Sequence, residues 1–173
     1  MKSMNAWARL MIVSTLTVVA AAITAQPAGA QALGYGIAGP VGDTASFGNW
    51  SFLGLHAAGG GEVLARGRFG AAGEFGVMAG ANADLFITSV NGVLHIGPSL
   101  ATPVRNRISP FITGGYTLLG SGGGGSSAWN IAAGADVWLK PRVGVRFEFR
   151  DHIRPDGRGG EQFWAFRAGV VFR

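Results

Sequence analysis

The ionisable residues that could do chemistry are few, and several sit in one short run. Arg146-Phe147-Glu148-Phe149-Arg150-Asp151-His152 alternates charges with rings and ends on an acid beside a histidine. Two chemistries fit. Asp151 and His152, joined by a serine from segment 121–127, have the residue types of a hydrolytic triad. Arg146, Glu148 and Arg150, joined by Glu62, Glu74, Asp136 and Arg167, have those of an ion-pair network or a selectivity ring. The triad is the weaker reading. Neighbours on a strand point to opposite faces, so Asp151 does not orient His152 by adjacency alone, and no G-x-S-x-G nucleophile turn is present. His56 and His95 are expected inward, as hydrogen-bonded fillers. Segment 120–125 is as glycine-rich as a phosphate loop, but no Lys-Ser or Lys-Thr follows it. With no cysteine and no cluster at metal-ligand spacing, neither a catalytic residue nor a metal or cofactor is expected.

The chain that must position these charges is unusual. Of 173 residues 30 are glycine, 13% are charged and 48% are hydrophobic, against about 7% glycine and about 25% charge in an ordinary soluble domain. The glycines keep no three-residue period, which excludes collagen. The 18 aromatics exclude glycine-rich disorder.

The first thirty residues read as an address. Lys2 and Arg9 precede an uncharged apolar run over 10–25, and Ala28-Gly29-Ala30 supplies the small-x-small pattern of a leader peptidase site. That run is shorter than the roughly 20 residues a spanning helix needs. Residues 1–30 are therefore expected to be a cleaved signal peptide, and 31–173 a single domain. Without Lys2 and Arg9 the net charge falls from +5 to +3, a scattered arginine surplus and no case for a nucleic-acid partner.

Beyond residue 30 the dominant period is two. Val143, Val145, Phe147 and Phe149 alternate with Gly144, Arg146, Glu148 and Arg150, and similar alternation runs through 163–173 and 129–139. Weaker versions cover 33–42, 51–64, 69–80, 85–97 and 108–119. Eight strands of this length suit a bilayer better than a globular sheet. Tight turns at 65–68 and 140–142 and longer connections at 42–50, 120–127 and 152–162 give the layout of an outer-membrane barrel. Segments 99–107 and 80–84 fit that layout less well. Phe86, Trp129, Phe149 and Trp164 fall at one rim and Phe69 and Phe172 at the other, as an aromatic girdle at each interface.

Period two alone does not separate this barrel from a soluble one with its apolar face inward. Charge does, because so few charged residues cover a water-facing exterior poorly. The apolar face is therefore expected to meet outer-membrane lipid. The opposite face would line a lumen that eight strands leave just wide enough for side chains. A three-residue turn at 140–142 would pair Leu139 with Val143, Asp136 with Arg146 and Trp138 with Gly144. Glu62 and Glu74, on adjacent strands, would repel unless Arg146, Arg150 or Arg167 crosses the lumen to them. The charges would then form a structural plug, with a small passive pore as the alternative and a lipid-modifying enzyme a distant third.

Four runs carry a resemblance: Gly59-Gly60-Gly61-Glu62, Phe69-Gly70-Ala71-Ala72-Gly73-Glu74-Phe75-Gly76, Pro110-Phe111-Ile112-Thr113-Gly114-Gly115-Tyr116, and Val143 through His152. They resemble the small bacterial outer-membrane β-barrels of the outer membrane protein A-like and W-like superfamily, in particular its uncharacterised single-domain members. The resemblance implies an all-β, eight-stranded antiparallel up-and-down transmembrane barrel, located in the outer membrane and inserted by the barrel assembly machinery, with no catalytic residues to carry over. The connections 42–50, 120–127 and 152–162 would carry any binding of an extracellular ligand.

Such barrels usually end in an aromatic residue read during insertion; here Arg167-x-Gly169-x-x-Phe172 has the spacing, but Arg173 follows. Phe172→Ala is therefore expected to reduce the membrane-assembled yield more than Arg173→Ala; equal yields would contradict this.

Overall fold

Alternation of large apolar and small or ionic residues lets each strand present two different faces, and the chain uses both. The computed structural model describes residues 30–43, 51–80, 84–96, 108–121, 124–154 and 161–173; the expected signal peptide lies outside them, apart from Ala30. Eight strands follow one another: β1 (Ala30–Asp43), β2 (Ser51–Ala65), β3 (Phe69–Gly80), β4 (Asp84–His95), β5 (Ile108–Ser121), β6 (Gly124–Lys140), β7 (Val143–Arg154) and β8 (Glu161–Phe172). Each pairs antiparallel with the next, and β8 closes on β1 to complete a barrel. Closure leaves none of the eight described strands at a sheet edge, so each has a hydrogen-bonding neighbour on both sides.

The β1–β8 seam runs from Gly34 opposite Phe172 to Asp43 opposite Phe163, with no pairs at Gly39 and Pro40. Proline has no N–H to give a ladder, which accounts for the gap at Pro40. Between β2 and β3 the turn has Arg66 at φ 51° and Gly67 at φ 64°, and Arg68 N–H donates to Ala65 O at 3.2 Å. Two central residues at positive φ make the hairpin turn whose twist matches that of the strands.

Two local expectations are corrected. In the β6–β7 hairpin Asp136 does oppose Arg146 and Trp138 opposes Gly144, but Lys140, not Leu139, opposes Val143. The turn proper is only Pro141-Arg142, and Leu139 is the extra residue of a bulge. The expected open loop over 120–127 is also absent: β5 and β6 run to Ser121 and Gly124, with Leu118 opposite Ser127 and Gly120 opposite Gly125. Glycine and serine here lengthen a hairpin, because backbone pairing needs no particular side chain. Of the other two long connections, 44–50 and 155–160 lie outside the described residues, as do 97–107 of the β4–β5 connection.

Inside the barrel the side chains are layered. At the end carrying the 65–68 and 140–142 turns, Leu33, Leu64, Val93, Trp138 and Val171 form an apolar cluster. At the loop end Val41, Met78, Ile87, Leu119 and Phe163 form another. Along β3 the inward residues run Ala72, Glu74, Gly76, Met78, and along β8 Phe163, Ala165, Arg167, Gly169, Val171, so the charged layer lies between two apolar ones. Several inward glycines are forced by backbone approach. A Cβ at Gly144 would meet Val137 O at 2.8 Å and Trp138 Cα at 3.2 Å, while one at outward Gly36 would meet nothing within 4 Å. What limits Gly144 is thus the neighbouring backbone. Gly144→Val should lower the fraction refolded into lipid vesicles, read by heat-modifiable gel migration, whereas Gly36→Val should leave it unchanged.

Candidate functional site

The site is the lumen. Glu62, Glu74, Asp136, Arg146, Glu148, Arg150 and Arg167 all point inward, and none is more than 2% exposed. Charges so deeply buried persist only when paired and hydrogen-bonded, and these are. The Arg146 guanidinium makes a bidentate pair with Asp136 (Nε–Oδ1 2.7 Å, Nη2–Oδ2 2.9 Å) and donates through Nη1 to Glu62 Oε1 at 2.5 Å. Its flat faces lie over the rings of Tyr35 and Phe111, at 4.5 and 4.4 Å from the centroids. A planar guanidinium between two rings, forked onto carboxylates at its edge, uses both its charge and its shape.

Arg167 organises the second half. Its Nη1 and Nη2 donate to Glu74 Oε1 and Oε2 at 2.6 and 3.0 Å, and Nη2 also meets Glu148 Oε1. Arg150 donates to Glu148 Oε1 at 2.8 Å and lies 3.5 Å from Glu74 Oε1. Three arginines thus face four carboxylates. Glu62, besides Arg146, has a second partner in His95, whose Nε2 is 2.9 Å from Glu62 Oε2 while Nδ1 contacts Ser109 Oγ at 3.0 Å. Tyr35 joins the halves, with its hydroxyl donating to Glu74 Oε2 at 3.2 Å and its ring against Arg146.

Tyr35, Phe111 and Ser109 were not singled out in the sequence. Their signal was available: Tyr35 alternates inward with Leu33 and Ile37, and Phe111 with Ser109 and Thr113. The residues proposed for a triad are separated. His152 points inward and stacks on Phe163 at 4.3 Å, and neither of its ring nitrogens has a hydrogen-bond partner among the described residues. Asp151 instead accepts from Gln162 Nε2 at 2.5 Å.

On the outer wall Trp129 and Phe149 lie well inside β6 and β7, which extend to Gly124 and Arg154, while Phe86 and Trp164 lie nearer the loop ends of β4 and β8. Phe149 stacks with Trp164 at 6.4 Å, Trp129 meets Tyr116 edge-on at 5.2 Å, and Phe86 stacks with Phe75 at 6.3 Å. Phe69 and Phe172 are exposed at the other end, and a Cβ on Gly34 would strike the Phe172 ring. Tyr116 and Phe75 are cross-strand partners the single-strand reading passed over. Arg173 covers the inward Trp138 ring at 4.5 Å and donates to Pro141 O at 2.7 Å, closing over the turn end.

No family model matches the chain, and no curated protein does either. Solved structures do. Neisserial surface protein A aligns with TM-score 0.64 and 12% identity over 83% of this chain and 98% of its own. The N-terminal β-barrel domain of Pseudomonas aeruginosa OprF aligns with TM-score 0.58 and 14% identity over 82% and 97%. A de novo designed transmembrane β-barrel aligns with TM-score 0.50 and 12% identity over 82% and 93%. The fold is therefore that of the small eight-stranded outer-membrane barrels.

Removing Arg146 would leave both Asp136 and Glu62 short of their cation. Arg146→Leu is expected to cost about 3–5 kcal/mol of unfolding free energy, measured by urea titration in lipid vesicles. A loss under about 1 kcal/mol would show that the network is not held by pairing.

Proposed function

We propose that the chain is an outer-membrane barrel with a structural or surface-interaction role, and that its charged lumen is a plug. The observation supporting this most directly is an inverted distribution of side chains. Leu55, Val90, Ile112, Ile131, Phe147, Phe166 and Val170 are exposed along the strands while the arginines and carboxylates are buried. Water disfavours such a surface, and a bilayer core favours it. Tight turns belong on the periplasmic side of such barrels, so the strand ends at Asp43 and Arg154 would face outward, and an extracellular ligand would be met at that end. Outer-membrane lipid would cover the wall, and the barrel assembly machinery would insert it.

A passive pore is the second reading. It draws on buried polar atoms with no partner among the described residues, namely His56 Nε2, the Asn91 amide, Thr113 Oγ1 and both His152 nitrogens, which would suit a file of water. Against it stand the apolar layers on either side, with Leu64 and Trp138 towards the turns and Met78 and Phe163 towards the loops. Refolded into a planar bilayer, the protein should give no sustained conductance; long-lived openings would replace the plug with the pore. Heat-modifiable migration in the outer-membrane fraction tests the location, and recovery of the chain in the soluble periplasm would overturn it.

A further inference from the structure

The outer wall is not evenly padded. Gly92 of β4 pairs with Gly114 of β5, both face outward, and a Cβ on either would meet only a backbone oxygen, at 3.8 and 3.7 Å. Packing does not demand glycine at these two positions, in contrast to Gly144. Together they floor a groove whose sides include Phe69 and Leu94 at the turn end and Ile131, Phe149 and Asp151 towards the loop end.

A groove alone names no occupant, but the charge at its mouth does. The groove reaches the turn end where Phe69 pairs with Leu94. Arg68, the preceding residue, is exposed there, and its turn is tied to β4 by His95 N–H donating to Arg68 O at 2.6 Å. Strand β6 ends at this rim in exposed Lys140, and exposed Arg142 stands in the turn that leads to β7. Among the described residues no Asp or Glu shares the rim. Glu62, Glu74, Asp136 and Glu148 point into the barrel, and Asp43, Asp84, Asp151 and Glu161 belong to the loop end of their strands. The occupant must therefore combine an apolar tail with an anionic head.

We propose that this surface binds an anionic phospholipid of the turn-side leaflet, its phosphate on Arg68 and one acyl chain along Gly92 and Gly114. Lys140 and Arg142 extend the cationic collar to neighbouring headgroups. Each Lys or Arg near a membrane surface adds to the attraction for anionic lipid, and the open glycine floor lets a chain lie against the backbone. The assignment rests on the membrane-spanning reading above.

The test is electron spin resonance of the protein refolded into phosphatidylcholine bilayers at low salt, with trace chain-labelled phosphatidylglycerol or phosphatidylcholine. Phosphatidylglycerol should be preferred in the motionally restricted fraction by about fivefold. The preference should fall to parity in R68Q/K140Q/R142Q and in high salt. Gly92→Leu/Gly114→Leu, whose added Cβ atoms come no closer than 3.7 Å to the neighbouring backbone, should reduce the restricted phosphatidylglycerol by about half while the barrel still folds. Equal retention of the two lipids by the unmodified protein, or an unchanged signal in either variant, would overturn the proposal. Insertion is read first, by heat-modifiable migration. A chain that does not insert overturns the membrane reading together with the lipid site, whereas one that inserts without lipid preference overturns the lipid site alone.

Discussion

Two guanidinium groups hold the interior together. Arg146 on β7 and Arg167 on β8 each meet two carboxylates, and through them strands far apart in the chain are joined across the barrel. Desolvating that many ions is expensive. It is tolerated because the network has few loose ends: Arg146 is forked and sandwiched between rings, Glu62 has a second partner in His95, and Tyr35 bridges both halves. Each of these cations is shared by two anions, and Glu74 and Glu148 share two cations, so the constraint acts on the set and not on any one pair.

The same constraint explains the wall. An eight-stranded barrel has an interior that side chains fill, and three arginines among four acids leave little room for large neighbours. Glycine and alanine alternate with the ions on the inner face for that reason. Outside, the demand is reversed, and large apolar residues and paired rings are exposed. Glycines therefore serve two purposes in one sheet. Gly144 and Gly169 are required by approaching backbone, while Gly92 and Gly114 look out on open space.

Much of the fold was legible because alternation is local. The faces of β7 followed from Val143, Val145, Phe147 and Phe149, and the register of the β6–β7 hairpin at Asp136 and Arg146 followed from the short turn between them. The Leu139 bulge did not, because one extra residue in a strand leaves no mark on the alternation further along. The Gly-Ser segment between β5 and β6 misled for a related reason: composition that usually marks a loop can still pair through its backbone. Tyr35 and Phe111 were missed because an inward ring reads as ordinary core until the cation it covers is known.

The sequence by itself determined which face of each strand is ionic and which apolar, and so that the barrel is inside out relative to a soluble one. It did so because a strand's two faces are set by residues two apart and because 13% charge does not cover a wet surface. Which arginine meets which acid was decided only by the tertiary structure. Arg167 and Glu74 lie 93 positions apart, and they meet because β8 closes on β1 and brings its inner face within reach of β3.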